Sequence, residues 1–585
     1  MSNFNMRDAN ENLDLEKQGS ETTATAEPES PSEEEKRENP TALPESTTKP
    51  ATSFAPMTPP RYGNKGQQQQ QQDGAPVQRT FSRREQLHHT ESHLFGGDLI
   101  RQQTELQLTH FQSQQGKDVI TVHWEGEGDM ENPLNWGRLY RWYITALGGL
   151  LVLNSTFTSS APSGIVADME VTFGFSQEVG ILTVSLFVAG YCLGPLIWGP
   201  LSERVGRKPV FLVAMACYTG MNVGCALAPN TAAILIFRFL SGAFGASPLT
   251  NAGGLIADIW DAKTRGDAMA IFSIAPFAGP ALGPIVGGFI YVSGTNWRWL
   301  FWVCTIFSGV CFLLTAFTLP ETYAPILLKR KAARIRKETN DERYQSPMDM
   351  APLSVGQLIK GIISKPFILL FMEPMLLAIT IYMSFTYGLL YLLFEAYPIV
   401  FVEGHGFNQG IDGLMFLAFF IGGAIAVVIY VTLINPRYVR KLEALEKGQR
   451  VPPEVRLLPV MIAAPLLVVA LFWFAWTSYP SISYWSPMLA GALLGLCLLF
   501  IFVGLFNFIV DAYLANAASA LSGNTVCRSA FGAGFPLFAT QMFQRLGTQW
   551  AASLLGFLAL LMVPIPFILS RYGAKIRAMS KHAAE

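Results

Sequence analysis

From about residue 140 onward the chain alternates long apolar runs with short polar connections. Twelve runs are long enough to cross a bilayer: 142–161, 179–199, 209–228, 231–254, 268–292, 298–319, 374–397, 410–434, 457–477, 486–510, 518–541 and 549–570. A crossing takes roughly 20 mostly apolar residues, because ~30 Å of hydrocarbon is traversed at ~1.5 Å per residue. In lipid every backbone polar group needs an internal partner, which helices supply. The pattern predicts an all-α polytopic membrane protein, with 12 transmembrane helices in two six-helix bundles. Residues 122–319 form the N-terminal bundle, 320–366 a linker, 367–572 the C-terminal bundle and 573–585 a short tail.

Cationic residues collect in alternate connections, as the positive-inside rule requires of cytosolic loops. Arg204, Arg207 and Lys208 follow the second run, and Lys263 and Arg265 the fourth. A basic stretch from Lys329 to Lys365 follows the sixth, a set from Arg437 to Arg456 the eighth, and Arg571 to Lys581 the last. The other side carries Arg298 and Arg545. Both termini are therefore expected in the cytosol.

Composition sharpens this picture. Half of the residues are hydrophobic and 15% charged, against about 25% charged in soluble domains. Residues 1–121 are of another kind, rich in Glu, Ser, Thr, Pro and Gln, with a glutamine run at Gln67–Gln72. Such a segment buries too little apolar area to offset its ordering entropy and is expected to be a disordered cytosolic tail. Its start has no apolar core of a signal peptide, so the first span is expected to direct insertion. Two Trp and several acids at 124–136 read as an interfacial cap on the bundle. The net charge of −1 gives no reason to expect a nucleic-acid partner. All seven Cys lie in apolar runs without a CxxC pair, and read as packing residues. Asn154-Ser155-Thr156 spells a glycosylation sequon inside the first span and reads as a false one.

Three motifs carry chemistry. Gly199-Pro200-Leu201-Ser202-Glu203-Arg204-Val205-Gly206-Arg207-Lys208-Pro209 makes a tight turn after the second span. Gly199 and Gly206 permit close approach or positive φ, and Glu203 can meet Arg204 or Arg207 to form a latch. Arg238 stands amid apolar residues of the fourth span, where a charge is costly unless it faces a cavity or a partner; snorkelling to an interface is the alternative. In the fifth span, Gly279-Pro280 and Gly283-Pro284 kink the helix. Gly279, Gly283 and Gly287, beside Gly288, leave a bare stripe for another helix.

In this order the three motifs resemble the signatures of the major facilitator superfamily, with Glu203 where Asp is usual. They are most similar to those of its 12-spanner drug:proton antiporters. Asn132-Pro133-Leu134-Asn135-Trp136, the Tyr391–Gly404 block and the Arg528–Phe538 block extend the resemblance to fungal polyamine and multidrug exporters. The resemblance implies proton coupling at Arg238 and an antiporter motif in the fifth span. It also implies a central cavity lined by spans 1, 4, 7 and 10, with Tyr382, Phe385, Tyr391, Phe506 and Asn507 as candidates for substrate contact. Glu395 is the candidate acid for proton exchange, or else an exterior residue beside Glu403. Arg528 is expected to pair inside the bundle, with Asp511 as a plausible partner, while Glu321 and Glu373 read as structural.

The expected activity is proton-driven export of polyamines or hydrophobic cationic drugs by alternating access, without an enzymatic reaction, metal or cofactor. The expected partners are small-molecule substrates and the lipid bilayer, with a monomeric chain in the plasma or vacuolar membrane. A dedicated exporter of one secondary metabolite or toxin, or a non-transporting receptor using the long tail, stays open. No GxxxxGK[ST] run exists for an ATP-driven pump.

Overall fold

The computed structural model describes residues 119–580, apart from Glu127, 351–354 and 445–450. The expected tail thus lies outside the described residues except for its last three. Among the described residues, ten helices are long and apolar enough to cross a membrane. They include α2 (Gln177–Val205), α3 (Arg207–Ala226), α4 (Thr231–Ile259), α5 (Thr264–Val292) and α6 (Arg298–Thr318). After the linker come α7 (Pro374–Gly404), α8 (Gln409–Lys441), α9 (Pro453–Thr477) and α10 (Trp485–Tyr513). The tenth, Ala517–Ala578, is 62 residues long, about 90 Å at ~1.5 Å per residue and so far too long for one crossing. Gly547 breaks it with φ 76° and ψ 155°, which leaves α11 (517–546) and α12 (548–578). The twelfth is α1 (Arg138–Ser160), less apolar because its second half is polar. Asn154, Ser155, Thr156, Thr158, Ser159 and Ser160 are all buried, turned into protein rather than lipid.

The even number of crossings returns the chain to the side it started from, called here the termini side. Each half repeats the same contacts. In the first, a Cβ on Gly242 would strike the Phe187 carbonyl and one on Gly190 the Phe239 carbonyl, so α2 and α4 meet backbone to backbone. In the second, Gly422 abuts the Ala492 carbonyl and Gly495 the Phe419 carbonyl, joining α8 to α10 in the same way.

One element departs from the hydropathy reading. The helix expected to stop at Tyr397 continues through Pro398 to Gly404. A wider turn there accommodates the missing proline N–H.

The segment before α1, expected to cap the bundle, touches its end through the Pro133–Asn135 turn, which meets α4. It also docks on the linker. Ile120–Thr121 (β1) pairs in parallel with Tyr344–Gln345 (β2). The linker helix Ala324–Thr339 presents Lys331, whose Nζ lies 2.8 Å from Asp129 and 3.0 Å from Glu125. The Trp124 ring covers the same ammonium at 5.8 Å, and Arg334 reaches Glu131 at 2.6 Å. Asn132 caps a short turn through Leu134 N (3.2 Å), and the Asn135 amide donates to the carbonyls of Gly126 and Asp129.

Candidate functional site

The glycine stripe of α5 packs on α1. A Cβ at Gly279 would collide with Thr156 and lie 2.5 Å from Phe157 N. One at Gly283 would meet Ser160 and the Ala161 amide, and one at Gly287 the Ala161 carbonyl. The neighbouring face of α5 meets the other half: Gly288 abuts the Gln409 carbonyl, and a Cβ on Gly413 would lie 2.6 Å from the Pro284 carbonyl. Pro280 and Pro284 are both buried within this contact. The motif therefore joins α1, α5 and α8 with almost no side chain between their backbones.

Opposite that stripe α1 breaks. Pro162 has no N–H, so the Thr158 carbonyl lacks its helical partner. Arg238 supplies one. Its Nη1 donates to Thr158 O (3.0 Å), Nη2 to Ser159 O (3.2 Å) and Nε to Thr183 O (2.6 Å). The guanidinium is fully buried, 4.3 Å above the Phe187 ring. Arg238 neither snorkels nor meets a carboxylate among the described residues; it binds α1 and α2 to α4.

The seam between the halves is polar and aromatic at this level. Ser159 Oγ of α1 lies 3.0 Å from the Tyr391 hydroxyl of α7. Tyr387 donates to Tyr391 at 3.4 Å, Tyr191 to the Ser155 carbonyl at 3.0 Å, and Ser155 to the Gly245 carbonyl at 2.6 Å. The Cys192 thiol of α2 donates to the Val526 carbonyl of α11 at 3.5 Å, beside Cys527. Phe277 of α5 meets Phe502 of α10 edge-on at 5.9 Å.

Arg528 opens onto this seam. Its guanidinium carbon lies 5.0 Å from the Tyr387 ring centre, 5.4 Å from Phe506 and 5.7 Å from Phe502. Asp511, its expected partner, pairs with Arg456 at 2.8 Å instead.

Of the expected cavity contacts, Tyr391 and Phe506 lie at the seam. The others point elsewhere. Tyr382 is fully buried with an unpartnered hydroxyl. Phe385 packs edge-on against Phe535 at 6.1 Å. Asn507 donates to Val503 O (2.8 Å) and to the Tyr430 hydroxyl (3.4 Å).

Glu395 sits higher on α7, about 30 Å from its start at ~1.5 Å per residue. Thr540 of α11 donates to it at 3.2 Å, and no cation pairs with it among the described residues. Asp412, in the first turn of α8, is a second such acid that the sequence reading passed over. It is 4% exposed and its Oδ1 has no partner. An acid inside the apolar run 410–434 is the same signal that singled out Arg238.

The latch has different partners from those expected. Glu203 is exposed. Arg207 pairs with Asp258 of α4 at 3.1 Å, donates to Ser202 Oγ at 2.7 Å and lies over the Tyr323 ring at 5.0 Å. Glu321 accepts from the backbone amides of Arg207 (2.8 Å), Lys208 (3.3 Å), Thr322 and Tyr323 (both 3.1 Å). Gly206, at φ 107°, lets that carboxylate in, since a Cβ would occupy its place. Gly199 makes only ordinary contact, 3.4 Å from the Thr250 methyl, and Arg204 lies in the last turn of α2. The charges of Arg207, Asp258 and Glu321 thus close between the first half and the start of the linker.

Comparison with known proteins agrees with this architecture. A family profile described as "Major Facilitator Superfamily" matches residues 147–536. A "Major facilitator superfamily multidrug transporter mdrA" of Aspergillus fumigatus is 45% identical over 471 residues, 80% of this chain and 77% of its own. A "Citrinin biosynthesis cluster MFS transporter mrr1" of Monascus ruber is 42% identical over 465 residues, 79% and 92% of the two chains. A solved structure of the proton:xylose symporter XylE superposes with a TM-score of 0.54 at 16% identity, covering 75% of this chain and 96% of its own; that likeness concerns the fold alone.

Proposed function

The chain belongs to the Major Facilitator Superfamily, a membrane transporter rather than an enzyme, and on that footing we propose that it exports hydrophobic small molecules in exchange for protons. The names of its relatives speak for export: a multidrug transporter and an efflux pump of Gibberella moniliformis, FUB11, among them. The two six-helix halves would rock about the seam. The driving force would be the proton gradient, with no cofactor and a single chain sufficient.

The observation that carries proton exchange is Glu395. It is a carboxylate on α7 with a hydroxyl partner and, among the described residues, no cation. Such a group can take and release a proton without breaking an ion pair. Asp412 offers the same chemistry on α8. The resemblance assigns coupling to Arg238 as well; its grip on three carbonyls of α1 and α2 supports a role in transmitting movement rather than in carrying the proton. The charge arrangement at Gly199–Lys208 supports a conformational latch built on Arg207, Asp258 and Glu321.

Polyamines form a second reading, favoured by a carboxylate, Glu395, that lies two helical turns along α7 from the aromatic group of Tyr387, Phe502 and Phe506. A polycation would have to share those faces with Arg528. Orientation is part of the proposal: the cationic connections on the termini side support cytosolic termini, in the plasma membrane before the vacuolar one.

The test is uptake into inside-out vesicles energised with an acid interior. Gradient-dependent accumulation of a fluorescent drug, abolished by an uncoupler, is expected. Accumulation of radiolabelled spermidine under the same gradient would select the polyamine reading. No flux of either compound would overturn the exporter.

A further inference from the structure

Arg528, half-buried on α11, stands apart from the other arginines turned into the bundle. Arg207 and Arg456 pair with Asp258 and Asp511. Arg238, without an acid, spends its donors on three carbonyls. Arg528 has neither. Its Nε is buried without a hydrogen-bond partner, and its contacts among the described residues are the rings of Tyr387, Phe502 and Phe506. Ring faces stabilise the positive charge but leave the N–H donors unmet.

Its depth makes the vacancy of those donors costly. Residue 528 lies 11 residues into α11, about 16 Å along a path of ~30 Å. A charge at mid-membrane is retained where it faces a cavity or meets a counter-charge. The neighbouring titratable groups, Tyr387, Tyr391 and Tyr191, are neutral phenols. Glu395 lies two helical turns beyond Tyr387 and is bonded to Thr540. Among the described residues no acid is positioned to answer this cation, so the acceptor is expected to arrive from outside.

We propose that Arg528 and the rings of Tyr387, Phe502 and Phe506 form a subsite for the carboxylate of a flat, apolar organic acid. The planar guanidinium fork matches a carboxylate through two parallel hydrogen bonds. The three rings accept the apolar body beside it. Bound there, the anion neutralises the mid-membrane charge within reach of the Ser159–Tyr391 contact between the halves. This subsite rests on the export reading and adds hydrophobic acids to its range of substrates.

The test uses the full-length chain in nanodiscs and compares 1-naphthoate with its neutral counterpart 1-naphthamide by calorimetric titration. Wild type is expected to bind the acid at least tenfold more tightly. Arg528→Gln should abolish that preference, and Arg528→Lys should keep part of it, as a point charge without the fork. A melting curve for each variant identifies any that fails to fold, and the wild-type preference alone already tests the proposal. Equal binding of acid and amide by wild type, or a preference that survives in a folded Arg528→Gln, would overturn it. So would displacement of naphthoate by chloride at similar concentration, which marks a site for any small anion. Failure of the exporter is read separately, from proton-driven flux of a neutral drug by the wild-type chain.

Discussion

Arg456 Nε lies 2.8 Å from Asp511 Oδ2 and repeats, at the same place in the second half, the pairing of Arg207 with Asp258. In each case the arginine opens the third helix of its half and the acid closes the fourth. The Arg456–Asp511 pair is enclosed by Tyr438, whose ring centre is 3.3 Å from the guanidinium carbon, as Arg207 is by Tyr323. Both partners are nearly buried, with side chains 11% and 12% exposed.

Removing one partner of such a pair leaves an uncompensated charge, at a cost of about 3–5 kcal/mol. Asp511→Ala and Arg456→Ala should each lower the melting temperature markedly in detergent. The double variant should recover part of the loss. Strictly additive losses would mean that the two side chains act separately.

The α5 stripe predicts opposite signs for the same substitution. Gly279→Ala and Gly283→Ala push a methyl into α1 and should reduce proton-driven efflux at least tenfold. Gly220→Ala meets nothing within 4 Å and should stabilise its helix by roughly 0.5–1 kcal/mol without changing flux. Transport assays in vesicles with matched expression compare the three.

If Glu395 exchanges the proton, Glu395→Gln should abolish gradient-driven accumulation while preserving substrate counterflow at zero gradient. Asp412→Asn provides the comparison. The variant that uncouples flux from the gradient identifies the carrier, and full coupling in both would remove each from that role.

Tyr391→Phe and Ser159→Ala each delete one hydrogen bond across the seam, worth about 0.5–1.5 kcal/mol. Their effects on transport rate should be similar singly and should not add in the double variant. Additive effects would show that the two hydroxyls do not act through their mutual bond.

Asp129 predicts a pH dependence outside the membrane. Burial disfavours its charge, but the hydrogen bonds from Lys331 and the Glu125 and Glu131 amides outweigh that and hold the carboxyl below its ordinary value. A carboxyl depressed on folding stabilises the docked segment above the unfolded pKa of about 4. That contribution fades as pH falls through the lower folded value. Limited proteolysis of the linker should therefore accelerate at acidic pH in wild type. Asp129→Asn should be sensitive already at neutral pH.

The spans and the two halves are legible in the sequence because hydropathy needs only local information. The faces of the helices are less so. Tyr391 and Tyr382 are nine residues apart on α7, which at ~100° per residue puts them on opposite faces. Tyr387 and Tyr391, four apart, share one. Proximity in sequence also misleads: Glu203 adjoins Arg204 but is exposed, while the acids that meet Arg207 are 51 and 114 residues further on. Arg528 was visible as a charge in an apolar run. That its expected partner Asp511 is taken by Arg456 was not.

The contact of Cys192 with the Val526 carbonyl has a practical consequence. Cys192 belongs to the first half, and Cys527, next to its acceptor, belongs to the second; both thiols are free and only partly buried. The protein thus carries a native pair of labelling sites facing each other across its moving boundary. Spin labels or a short bifunctional thiol reagent on these two positions, with the other five Cys replaced, turn the opening of the seam into a measurable distance.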